Sequence, residues 1–79
     1  MNNDRRKRIQ AIMDDMTAII ERINEIQEEE QLYADDMPEN LQGSQKHDTA
    51  EETASLIGEA ADQVQEAIDS LESAKDNGQ

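Results

Sequence analysis

Through the first half of the chain, isoleucine and methionine return every three or four residues: Ile9, Ile12, Met16, Ile19, Ile23 and Ile26, with Met13 and Ile20 widening the stripe. A half-buried strand would alternate at every second position, whereas spacing by three and four puts side chains on one stripe of an α-helix. A repeat averaging about 3.5 residues is also a coiled-coil seam, so the stripe calls for another helix laid along it. With Ile9 as position a, the seam alternates a and d through Ile26, meets Glu30 at the next a and resumes with Tyr33 at d. The Glu30 carboxylate is expected near the end of the packed region, or it costs stability there.

The second half repeats the logic with smaller side chains. Ile57, Ala60, Ala61, Val64, Ala67, Ile68, Leu71 and Ala74 share one face, and the alanines permit close helix approach. Thr49 with Glu52 three residues on matches a capping box, while Ser44 is a competing N-cap about one turn earlier. Asn77 and Gly78 supply terminating chemistry near the end. Between the two periodic stretches lies Asp35-Asp36-Met37-Pro38-Glu39-Asn40-Leu41-Gln42-Gly43-Ser44. Proline biases Met37 away from helical backbone and Gly43 tolerates a left-handed one, so this segment reads as a structured hinge. Met37 and Leu41 are placed to fold back over the end of the bundle.

The expected organisation is a basic segment 1–8 leading into helix 1, helix 1 over 9–35, a hinge over 36–48, helix 2 over 49–75 and a disordered tail at 76–79. Two helices of equal length joined by a short hinge form an antiparallel hairpin of the all-α class, coiled-coil-like in its packing. A chain of 79 residues with no cysteine and one aromatic residue, Tyr33, has little with which to build a core. The expected solution is assembly with itself, as a homodimeric four-helix bundle or higher oligomer. Its seam would be formed by Ile12, Met16, Ile19, Ile23 and Ile26 with Ile57, Val64, Ile68 and Leu71.

Twenty acidic against seven basic side chains give a net charge of −13. Direct nucleic-acid binding is not expected of such a surface, because phosphates would be repelled. A partner protein with a basic surface is favoured instead. No apolar run approaches a bilayer span, and the basic start at Arg5–Arg8 lacks the apolar core of a signal peptide, so a cytoplasmic location without membrane contact is expected. In an antiparallel hairpin the Arg5, Arg6, Lys7 and Arg8 cluster would lie beside the negative end of helix 2, near Asp69, Glu72 and Asp76. Residues 9–79 are left with three basic and nineteen acidic side chains.

Four of those carboxylates, Glu59, Asp62, Glu66 and Asp69, are spaced three, four and three and therefore line one side of helix 2, opposite its seam. A solvated coiled-coil exterior is the plainest reading of such a row. Because few lysines balance it, the row also suits imitation of a phosphate strand, and Asp14, Asp15, Glu21, Glu25, Glu28 and Glu29 on helix 1 add to its field. His47 is the sole histidine and lacks the second ligand that a metal site needs, so a surface or capping role is expected. No base is arranged near Ser44, Ser55, Ser70 or Ser73, and a two-helix rod has no desolvated pocket to separate carboxylate pKa values. Neither an enzyme nor a cofactor is expected. Tyr33, Met37, Pro38, Asn40 and Leu41 form the least repetitive stretch, either a simple cap and turn or a place for a specific contact.

The hinge Met37-Pro38-Glu39-Asn40-Leu41-Gln42-Gly43-Ser44, set between two amphipathic helices, resembles a widespread group of small helical proteins from bacteriophages and integrated mobile elements. The resemblance implies a mobile-element origin and, with it, an inhibitor of a host defence or nucleic-acid-processing protein acting by nucleic-acid mimicry. Two other functions fit the same chain: an oligomeric sponge for a nucleotide-like defence signal, and a structural assembly subunit.

Overall fold

A computed structural model describes residues 2–77 and shows an antiparallel helical hairpin. Helix α1 spans Asn3–Asp35, a single 3-10 turn occupies Glu39–Leu41, and helix α2 spans Gln45–Asn77. The two long helices lie side by side in a rod of 60 by 16 by 11 Å.

Helix α1 begins about two turns before its apolar stripe. Asn2 is extended and its side chain accepts a hydrogen bond from the Arg5 backbone N–H at 2.8 Å, which satisfies one of the open amides of the first turn. Arginine and lysine are good helix formers, so residues 3–8 continue the helix rather than preceding it. Helix α2 begins at Gln45 because Ser44 is the cap: its Oγ accepts from the His47 N–H at 3.2 Å. Thr49 therefore lies inside the helix, where its carbonyl accepts from the Thr53 hydroxyl at 2.8 Å. The helix also runs through Asp76 and Asn77, two positions expected in a disordered tail, while 78–79 fall outside the described residues.

The hinge is tightly tied. Ala34, Met37 and Ala50 are buried together and Leu41 packs on them, so Met37 and Leu41 do close this end of the hairpin. The Gln42 side-chain amide donates to the Met37 carbonyl at 2.9 Å, and Gly43 turns the chain with φ of +78°. Its N–H donates to His47 Nδ1 at 3.4 Å. Buried His47, with Nε2 3.4 Å from the Glu51 carboxylate, thus fastens the turn to the first turn of α2.

Along the interface, α1 turns Ile9, Met13, Met16, Ile20, Ile23, Gln27, Glu30 and Ala34 inward, and α2 answers with Ala50, Ala54, Ile57, Ala61, Val64, Ile68 and Leu71. The spacing is three and four throughout. Relative to the expected seam, the contact has rotated on α1: Met13 and Ile20 are covered, whereas Ile12, Ile19 and Ile26 are exposed. One alanine-rich helix covers only part of a stripe three side chains wide. Gln27 and Ala34 extend the covered line toward the hinge, where Gln27 lies across Gly58. A Cβ on Gly58 would stand 2.6 Å from the Gln27 Nε2, so the missing side chain makes room for the glutamine. No large side chain among the described residues is fully buried.

A candidate acidic interaction face

Each helix has an inner seam, and the remaining positions sort into an outer ridge on each helix and two broad sides shared by both. Outermost on α2 is the row Glu59, Asp62, Glu66 and Asp69, all four exposed. Over ten residues the row advances about 15 Å, or one carboxylate per about 5 Å. Among the described residues no Lys or Arg nitrogen lies within 4.0 Å of any of the four; the ion pair involving a Lys or Arg is Arg8 with Asp4 at 3.4 Å. Within the row, Asp69 accepts a hydrogen bond from the Gln65 amide at 3.1 Å. Glu59 and Asp62 also line a shallow polar groove together with Asn24, Gln27, Ser55, Gly58 and Ala61.

Helix α1 carries a matching ridge. Asp14, Glu21, Glu28 and Asp35 recur every seven residues on its outer side, all exposed, with Gln10 and Gln31 amides donating to Asp14 and Asp35 at 2.9 and 3.0 Å. In the sequence these acids stand out as a general negative field and not as a regular line. Its signal is the seven-residue interval, which the neighbouring Asp15, Glu25 and Glu29 obscure.

The basic cluster is only partly engaged with the end of α2. Arg6 Nε donates to the Lys75 carbonyl at 3.4 Å and Lys75 Nζ donates to Gln10 Oε1 at 2.6 Å. Among the described residues no ion pair within 4.0 Å joins Arg5, Arg6, Lys7 or Arg8 to Asp69, Glu72 or Asp76. Arg5 and Arg8 instead border a concavity with Ile9 and Ile12.

The expected seam residues divide into two sets. Met16, Ile23, Ile57, Val64, Ile68 and Leu71 come together inside the hairpin, while Ile12, Ile19 and Ile26 form an outward line. At the hinge, Met37 and Leu41 belong to the core; Pro38 and Asn40 are exposed. Tyr33 is exposed rather than capping the core, and Lys46 Nζ sits 5.9 Å from its ring centroid, a cation–π contact between the helices. No helix among the described residues is long and apolar enough to cross a membrane, and no cluster of three His, Cys, Asp or Glu side chains there is arranged to hold a metal ion. No known family model, curated protein or solved structure matches the chain.

Proposed function

We propose that the chain acts by binding rather than catalysis, as a small acidic protein that occupies a basic surface on another protein of the host cell, in the manner of a nucleic-acid mimic. The observation that carries this reading is the exposed row Glu59, Asp62, Glu66 and Asp69, held on one helix with no Lys or Arg nitrogen within 4.0 Å among the described residues. A duplex strand presents one phosphate per about 3.4 Å of its axis, so carboxylates at about 5 Å intervals offer a sparser but similarly rigid line of negative charge. A helix fixes these spacings before binding, which lowers the ordering cost a flexible acidic tail would incur. The hinge resemblance to phage and mobile-element proteins supports a host defence or nucleic-acid-processing protein as the target.

The test is capture from host lysate with the wild-type chain and with a variant combining Glu59→Gln, Asp62→Asn, Glu66→Gln and Asp69→Asn. The expected result is a captured nucleic-acid-binding protein that is released by added DNA or RNA and by high salt, and that the variant fails to hold. Equal capture by both chains, or indifference to salt, overturns the reading.

The concavity of Arg5, Arg8, Ile9 and Ile12 favours a second reading, the nucleotide sponge, because two guanidiniums beside an apolar wall suit an anionic ligand with a flat base. Calorimetry with cyclic nucleotides separates the two: heat that disappears in an Arg5→Ala, Arg8→Ala variant supports the sponge, and no heat removes it.

A further inference from the structure

Antiparallel helices that build their seam from the same two heptad positions carry the next position on the same broad side of the hairpin. The Tyr33–Lys46 contact shows this directly, since each residue heads such a line on its own helix. From Tyr33 the α1 line continues at seven-residue intervals through Ile26, Ile19 and Ile12; from Lys46 the α2 line runs through Thr53, Ala60, Ala67 and Ala74. Ile12, Ile19, Ile26 and Tyr33 are 48, 43, 54 and 41% exposed. The opposite broad side bears Gln10, Thr17, Asn24 and Gln31 and is polar. One side of the rod is therefore a straight apolar line next to a flat row of small side chains.

We infer that this side is the docking surface for a second copy of the chain, laid antiparallel so that the isoleucine line of each copy meets that of the other. Two facts select this occupant. The first is size: a side of 60 by 16 Å projects roughly 960 Å², above the ~800 Å² per partner of a standard interface. The second is the complementary charge at the two ends of the α1 line. The α1 line starts among Arg5, Arg6, Lys7 and Arg8 and ends at residues 28–36, which hold five carboxylates and no Lys or Arg. A two-fold axis across the rod lays α1 of each copy over α1 of the other and brings the basic start of one toward the acidic end of its partner, whereas an axis along the rod lays each isoleucine line over the alanines of the partner's α2. In the antiparallel arrangement Ile19 faces Ile26, Ile12 faces Tyr33, and the alanine rows allow the α2 helices to approach. Both acidic ridges stay on the outside, so the inference stands or falls independently of the proposed function.

Because the chain has no cysteine, single thiols report the geometry cleanly. Ile12→Cys and Tyr33→Cys, mixed and treated with a short thiol–thiol crosslinker, are expected to give a covalent dimer at several-fold the yield of either variant alone. Leu32→Cys, at an exposed outer position, is the background control. Preferential linking of Ile12→Cys to itself, or a mixed yield equal to the Leu32→Cys background, overturns the arrangement. An Ile19→Asp, Ile26→Asp variant, altered only at exposed positions, is expected to sediment as a single chain; persistence of the wild-type assembly in that variant also overturns it.

Discussion

The two described glycines inside the fold show how much of this molecule is decided residue by residue, and for opposite reasons. Gly43 has open space around its missing side chain but a φ of +78°. Gly43→Ala is therefore expected to cost about 1–2 kcal/mol from backbone strain alone, read as a lowered urea midpoint. Gly58 sits in ordinary helical backbone with Gln27 occupying its side-chain space. Gln27 borders an open groove and can swing into it, so Gly58→Ala is expected to stabilise by up to about 1 kcal/mol through helix propensity. Destabilisation would mean that the Gln27 placement fixes the helix register. Ile68, buried on α2, is the plainest core position; Ile68→Ala is expected to cost about 2 kcal/mol, at the low end for such truncations because a two-helix rod collapses readily around a cavity. The cap is a further residue-level feature. Ser44→Ala is expected to cost about 1 kcal/mol, whereas Thr49→Ala should cost much less, a comparison that checks where α2 starts.

At the scale of elements, the two helices and the hinge were legible because three-and-four spacing and the Pro38, Gly43 and Ser44 signals are local physics. Which side of α1 faces α2 was not legible. The apolar stripe is wide enough for two contacts, and nothing within helix 1 says which half its own partner takes; Ala34 and Gln27, weak as seam signals, mark the line that α2 covers. The start of α1 was equally hidden, since four consecutive basic residues look like a separate segment until Asn2 is seen capping them. For the acidic row, spacing alone placed Glu59, Asp62, Glu66 and Asp69 on one exposed face, as found. Carboxylates three and four residues apart on a helix repel one another, so the four-amide variant is expected to melt at a higher temperature than the wild type while losing capture. A lower melting temperature would show that the row stabilises the fold and would weaken its assignment as a binding surface.

For the whole molecule, the surface is partitioned into a covered seam, two acidic ridges, a polar side and an apolar side. A net charge of −13 on so thin a rod adds repulsion among its parts, and added salt is expected to raise its melting temperature while weakening any capture by a basic partner. The inferred antiparallel dimer covers the apolar side. A lone hairpin leaves four large side chains of one straight line about half exposed and has no fully buried large side chain among the described residues, which is a poor return for ordering two helices of 33 residues each. Sedimentation equilibrium of the wild-type chain at micromolar concentration weighs this most directly: the expected mass is twice 8.9 kDa, and a single chain of 8.9 kDa that melts cooperatively would contradict it.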